Sequence, residues 1–265
     1  MKIKDQLDRE INISKPFKRI VSLVPSLTEL IVVLGLENEL VGVTKFCVHP
    51  KDLRSKKVVV GGTKKVHLDK IKDLDPDLIL CNKEENTLEM VKELESITQV
   101  HVSNVITFED SKDLVKDYGV LFNTTETATN LVSELINRKN LFREKLNSKK
   151  LRVAYFIWRK PWMVVGGNTF INSMLEINGW ENIYKNAGSR YPETNLENLK
   201  EQKPELILLS SEPFPFQQKH LDEISEFSNS RIEIVDGEFF SWYGSRQLKA
   251  FKYFQELQNY LSTPL

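Results

Sequence analysis

Leu68 to Glu84 reads LDKIKDLDPDLILCNKE, and Leu196 to Glu212 reads LENLKEQKPELILLSSE. Aligned without a gap, seven of 17 positions are identical: Leu68/Leu196, Lys72/Lys200, Pro76/Pro204, Leu78/Leu206, Ile79/Ile207, Leu80/Leu208 and Glu84/Glu212. Five more pair acid with acid or apolar with apolar. Each stretch opens with helical spacing, breaks at Asp75-Pro76-Asp77 or at Pro204, and continues as an apolar run that reads as a buried strand, Leu78 to Cys81 or Leu206 to Leu209. Such a series can converge by physics alone. The neighbourhood argues for duplication, because Arg19–Val24 and Arg152–Ile157 also begin alike, as do Val100–Val102 and Ile232–Val235.

Working outward, residues 1–17 read as a short extended entry and Arg19 to Val24 as a strand stopped by Pro25. Ser26 is the expected N-cap of a helix, with Glu29 at its third position and Gly35 at its end. Strands follow at Leu40–Thr44 and Val58–Val60, then the turn Gly61-Gly62-Thr63 and a helix over Thr87–Glu95. In the second half, Leu151–Trp158 is strand-like, Thr169–Asn178 a helix ended by Gly179, Leu221–Phe227 a helix, and Ser245–Leu261 an amphipathic helix. Strands alternating with helices predict mainly parallel sheets covered on both faces.

Between the copies lies Asn123 to Asn147, without Gly or Pro. Asn123 can cap it and Glu126 can reach back; Leu131, Leu135, Phe142 and Leu146 form one helical face. Such a helix spans on the order of 35 Å. The expected architecture is therefore α/β with two similar lobes, each a mainly parallel sheet flanked by helices. The N-terminal lobe covers 1–122, the connecting long helix 123–147 and the C-terminal lobe 148–265, with a ligand cleft between lobes at the strand exits. A stiff connection predicts little hinge closure.

The chain has 265 residues, 40% hydrophobic and 28% charged, with a formal net charge of zero. A nucleic-acid footprint would need a basic excess, so no nucleic-acid partner is expected. Cys47 and Cys81 are the only cysteines and read as free thiols. No run reaches the ~18–20 apolar residues of a membrane span. Met1 to Phe17 is charged and reads as no secretory signal, which leaves a cytoplasmic protein or a removed leader.

The strand exits hold the chemistry: Val24-Pro-Ser-Leu-Thr28, Thr44-Lys-Phe-Cys-Val-His-Pro50, Gly61-Gly-Thr-Lys-Lys65, Asn82-Lys-Glu-Glu-Asn86, Trp158-Arg-Lys-Pro-Trp162, Ser211-Glu-Pro-Phe-Pro-Phe216 and Asp236 to Arg246. Three of the four tryptophans, Trp158, Trp162 and Trp242, fall in them. Aromatic residues in loops point to a large flat ligand or to plugs over the lobe cores. Ser26 opens a helix whose N–H groups can take an anion. Lys64, Arg159 and Arg246 can meet carboxylates or phosphates. Cys47 and His49, two apart, are weak metal candidates, with Glu84, Glu85 and Glu212 in other exits; no metal centre is predicted. No G-x-S-x-G, P-loop or G-x-G-x-x-G is present, so catalysis is not indicated.

RIVSLVPSLTELIVVLGL, LVGVTKFCVHP, VGGTKKVHLDKIKDLDPDLIL, GGNTFINSMLEINGWENIYKNAG, YPETNLENLKEQKPELILL and VDGEFFSWYGSR resemble the helical-backbone metal receptors. These are ABC-transporter substrate-binding proteins for cobalamin, ferric siderophores or haem, and the cobalamin branch is the nearest in pattern. The resemblance covers about residues 18–260. It implies a monomeric, non-enzymatic receptor with no intrinsic cofactor, periplasmic or extracytoplasmic, that binds a metal chelate such as cobalamin and delivers it to an ABC permease. By match of position it implies ligand contacts at Phe46, Thr63, Lys64, Trp162, Phe240 and Trp242. From the loops, Ser26, Cys47, His49, Glu84, Trp158, Arg159, Tyr243 and Arg246 complete the candidate set. It also implies permease-docking glutamates, best matched by Glu85 or Glu89 and by Glu212. The rival reading is a cytoplasmic metal-cofactor enzyme or chaperone, or a ligand sensor, on the same frame.

Overall fold

The computed structural model describes residues 1–146 and 150–263. The expected helix end at Asn147, the lobe boundary at Ser148 and the terminal Leu265 lie outside the described residues. The chain forms two compact units. Unit 1 takes Met1–Val105, Glu109–Ile136 and Trp242–Gln247; unit 2 takes Ile106–Phe108, Asn137–Ser241 and the chain from Leu248 onward. The connecting helix is thus shared between the units, and a late segment of six residues belongs to unit 1.

Unit 1 opens with β1 (Lys2–Lys4) and β2 (Glu10–Asn12), an antiparallel pair. There follow β3 (Ile20–Ser22), α1 (Pro25–Val33), β4 (Leu40–Val43), α2 (Leu53–Lys56), β5 (Val58–Val59), α3 (Leu68–Asp73), β6 (Leu78–Asn82), α4 (Leu88–Glu95) and β7 (Val100–Ser103). Its main sheet has the order β5-β4-β3-β6-β7 with every pair parallel. All residues of β3, β6 and β7 are buried, as a parallel sheet covered on both faces requires. The chain leaves central β3 first towards β4 and later returns to β6, which makes the carboxyl ends of β3 and β6 a switch point.

Two helix starts differ from the sequence reading. Val24, not Ser26, holds the N-cap position of α1, and Pro25 is its first residue; proline sacrifices no bonded N–H there. Asn123 does not cap the long helix. It closes α5 (Phe108–Leu121), a helix the sequence reading lacks, with φ 57°. The Thr124 N–H returns to Gly119 O at 2.8 Å, a left-handed stop that asparagine tolerates. Phe108, Leu114, Val115, Tyr118 and Leu121 are its buried face. The long helix, α6, runs Thr125–Glu144.

Unit 2 contains β8 (Arg152–Trp158), β9 (Trp162–Val164), α7 (Phe170–Ile177), β10 (Glu181–Asn182), β11 (Glu193–Thr194), α8 (Leu196–Gln202), β12 (Leu206–Ser210), α9 (Gln218–Ser225), β13 (Arg231–Val235), α10 (Gly237–Ser241) and α11 (Gln247–Leu261). Its sheet order is β11-β9-β8-β12-β13, with β10 beside β8. β8, β12 and β13 are parallel, whereas β9 pairs antiparallel with β8 and β11 antiparallel with β9. The expected exit at residues 158–162 is consequently a hairpin, and Trp162 sits on a strand.

The repeat extends to atoms. α3 and α8 each end on a residue with positive φ, Asp75 at 42° and Lys203 at 47°. The Arg19 guanidinium donates to Leu74 O and Asp75 O, and that of Arg152 to Gln202 O and Lys203 O. The Arg19 N–H donates to the Asp77 carboxylate and the Arg152 N–H to that of Glu205. Each unit therefore ties the entry of its first core strand to the end of the repeated helix in the same way. Among the described residues no helix is long and apolar enough to cross a membrane.

Candidate functional site

In unit 1 a buried polar layer lies under the exits of β3 and β4. Thr28 Oγ1 stands 2.8 Å from Ser22 Oγ and 3.1 Å from Cys47 Sγ, and Thr44 Oγ1 is 3.3 Å from the same sulfur. The Cys47 thiol is sealed, and burial pushes its pKa up. As a metal candidate Cys47 is therefore corrected: its sulfur faces two threonine hydroxyls inside the unit. His49 is half-buried, edge-on to Trp242 at 5.6 Å. Both cysteines are free thiols.

Asn82 builds the exit of β6. Its Oδ1 accepts the N–H groups of Glu84 (2.8 Å) and Glu85 (3.2 Å), and its Nδ2 donates to Ser103 Oγ at 3.1 Å. Asn86 accepts the Asn82 N–H and donates to Thr63 O, both at 2.8 Å. The Asn82–Asn86 turn and the Gly61–Lys65 turn are thereby one rigid piece, closed by Lys64 Nζ donating to Glu84 O. Gly61 has φ 132°, and a Cβ there would come 2.6 Å from Lys65 O, so the turn requires glycine. Phe46 is 49% exposed beside this turn; the Lys45 ammonium lies 4.9 Å from its ring centre.

The late segment Trp242–Gln247 is held from within. Arg246 Nε donates to Glu29 Oε2 at 2.9 Å, with both side chains almost wholly buried, and the guanidinium lies 4.9 Å from the Trp242 ring. The Gly244 N–H donates to Ser111 Oγ at 2.9 Å, and that hydroxyl donates to Gln247 Oε1 at 2.7 Å. Tyr243 Oη is 3.5 Å from Ser103 Oγ, and burial drives its pKa up. Phe240 is fully buried in unit 2, 5.2 Å from Tyr155 and 4.8 Å from Phe254. Ser26, Phe240, Trp242, Tyr243 and Arg246 are thus placed as internal supports of the loops rather than as presented surface.

Unit 2 gathers its exit aromatics into one cluster. Trp158, 39% exposed, meets Phe214 edge-on at 5.7 Å. Trp162 stacks on Phe216 at 6.1 Å with an interplanar angle of 5° and covers the core beside Phe156. Arg159 Nε and an Nη each donate to the Glu223 carboxylate at 2.8 Å, and its guanidinium lies 5.3 Å from the Trp162 ring. Its charge is therefore already matched. Glu212 accepts from Ser241 Oγ at 2.9 Å. A Cβ on Gly237 would come 2.3 Å from Ser210 Oγ, which explains a glycine beside this exit. Glu89 is exposed in the first turn of α4; Glu85 is half-buried.

Of the predicted ligand residues, Phe46 and Lys64 in unit 1 and Trp158 in unit 2 are exposed, with His49, Thr63, Glu84, Arg159 and Trp162 half-covered; Lys45, Lys65, Lys83 and Lys160 are further exposed cations of these exits. Asn82, Asn86, Phe214 and Phe216, which the sequence reading places in the exits without giving them a role, and His220, which it does not single out, organise these loops. The signals are an Asn-x-x-x-Asn turn, a Pro-Phe-Pro-Phe run and a Gln217-x-x-His220 helix start. Among the described residues no three or more of His, Cys, Asp and Glu are placed to hold a metal ion. The arrangement offers rings, amides and a few cations to a ligand.

This chain belongs to the periplasmic binding protein family, whose sequence model matches residues 20–230. That is a class of binding proteins and not of enzymes, which removes the enzyme alternative. The chain is similar to a vitamin B12-binding protein of Vibrio parahaemolyticus, 24% identical over 202 residues, covering 74% of this chain and 72% of that protein. It is similar to an uncharacterized ABC transporter substrate-binding lipoprotein, YvrC, of Bacillus subtilis, 30% identical over 184 residues, covering 66% and 58%. Its fold matches that of the petrobactin-binding protein YclQ of Bacillus subtilis, with TM-score 0.82, 17% identity and coverage of 100% and 99%.

Proposed function

We propose that this chain is the substrate-binding protein of an ABC-type importer. It takes a metal chelate, first a corrinoid such as cobalamin, with a ferric siderophore or haem as the competing cargo, and delivers it to a membrane permease from outside the cytoplasm. It acts as a monomer and needs no cofactor of its own. The observation that carries this reading is that exposed aromatic rings, Phe46 and Trp158, stand on strand exits fixed by internal hydrogen bonds and ring packing. Exposed rings held on ordered loops, with polar and cationic groups beside them, are what each unit can offer to a large flat ligand. The B12-binding relative supports the corrinoid, and the permease contacts we assign are Glu85 or Glu89 in unit 1 and Glu212 in unit 2.

Trp158→Ala and Phe46→Ala test it. Each should weaken cyanocobalamin binding, measured by calorimetry, by about 1–3 kcal/mol. Unchanged affinity in both variants would remove these exits from the site.

A further inference from the structure

The exit of β12 runs Ser211-Glu212-Pro213-Phe214-Pro215-Phe216-Gln217 into α9. His220, the third residue of α9, is the group to which this loop is fastened. Its Nδ1 accepts the Gln217 N–H at 2.9 Å, the reach-back that Glu or Gln ordinarily makes in a capping box. Its ring meets Phe214 at 5.3 Å and Phe216 at 5.5 Å, both edge-on. Those rings in turn support Trp158 and Trp162. One buried imidazole therefore joins the helix start, the loop and the β8–β9 hairpin.

An accepting Nδ1 belongs to the neutral ring. A proton there would set N–H against N–H. The charged groups facing His220 are Lys219 and Glu223 on α9 and Arg159 on the hairpin; the loop from Pro213 to Gln217 has no titratable side chain. Burial first, then the Lys219 and Arg159 charges, hold its pKa below the ordinary value, with Glu223 opposing. The Glu223 carboxylate is committed to Arg159.

We propose that His220 is a positioning residue: its neutral imidazole keeps Phe214 and Phe216 beneath Trp158 and Trp162, and its protonation loosens this exit and weakens the ligand held there. Only the ligand clause rests on the function proposed above.

The test uses the full chain labelled with 5-fluorotryptophan, without ligand, followed by fluorine NMR from pH 8 to pH 4.5, with signals assigned through Trp158→Phe and Trp162→Phe. The Trp158 and Trp162 signals should move together through one midpoint below about 6.5, the ordinary histidine value, while Trp180 stays still. In His220→Gln, which keeps an acceptor and cannot titrate, both signals should hold their neutral-pH positions throughout. In His220→Leu they should sit at the acid positions at every pH. The same midpoint in His220→Gln, or flat signals in the parent, would overturn the proposal. Cyanocobalamin affinity should fall below the midpoint by at most about tenfold per pH unit, the limit for one proton, and stay level in His220→Gln. A chain that shows the fluorine transition and binds no cobalamin would overturn the ligand reading and uphold the positioning role.

Discussion

His101, the second residue of β7, is sealed in unit 1, edge-on to Tyr118 at 5.1 Å. Among the described residues neither ring nitrogen nor the Tyr118 hydroxyl has a hydrogen-bond partner, a costly state for buried polar atoms. Burial pushes the His101 pKa from 6.5 down to about 4, although Asp5 nearby opposes it. The unfolded chain binds this proton from about pH 6.5 downward and the folded chain does not, so stability is full above that value and falls as pH drops towards 4. The loss is on the order of 3 kcal/mol across the window. Urea unfolding of His101→Phe between pH 7 and pH 4.5 should show a markedly flatter pH dependence and a higher midpoint; an unchanged slope would place the acid sensitivity elsewhere. The Glu29–Arg246 pair makes a second prediction at this scale. Removing one partner strands a buried charge, so Glu29→Met or Arg246→Met should each cost about 3–5 kcal/mol, while the double variant recovers much of it. Neither role is legible in the sequence. Arg246 and Trp242 read there as ligand residues because loop aromatics and cations look alike whether they face a ligand or an interior, and only the fold shows that Glu29, more than two hundred residues earlier, closes the pair.

Elements are legible where local chemistry decides them. Thr87 caps α4 by accepting from Met90 N and Thr169 caps α7 by accepting from Asn172 N, as their positions imply. Reading fails where one residue can serve two helices. In the sequence Asn123 points forward into α6, but α5 ends on it, and α5 is hidden by Gly119 and a charged surface. The β9 and β11 strands are two or three residues long and carry too little periodicity to be seen. The stops at Asp75 and Lys203 are legible only as breaks, because a left-handed φ leaves no mark on a non-glycine. That conformation costs about 1–2 kcal/mol, so Lys203→Gly should raise the urea unfolding free energy by about 1 kcal/mol, retaining the Arg152 bond to the residue 203 carbonyl. A loss of stability would mean that the Lys203 side chain, not the backbone, sets the stop.

For the whole molecule, the internal repeat decides the fold class from residues alone, and the paired arginine caps confirm it atom by atom. The two copies have since diverged at their exits. Where unit 1 has Asn82 and Asn86, the aligned positions in unit 2 are Ser210 and Phe214, so a hydrogen-bonded turn faces one set of neighbours and an aromatic cluster another. The proposed cargo is not legible in the sequence, since rings and amides in loops suit corrins, haems and siderophores alike, and specificity is a difference of affinities. Calorimetric titration of the intact chain with cyanocobalamin, haemin and a ferric siderophore panel under one buffer tests the central claim most directly. One-to-one binding of at least one of them is expected, with cyanocobalamin the tightest; no heat of binding from any would contradict the proposed function.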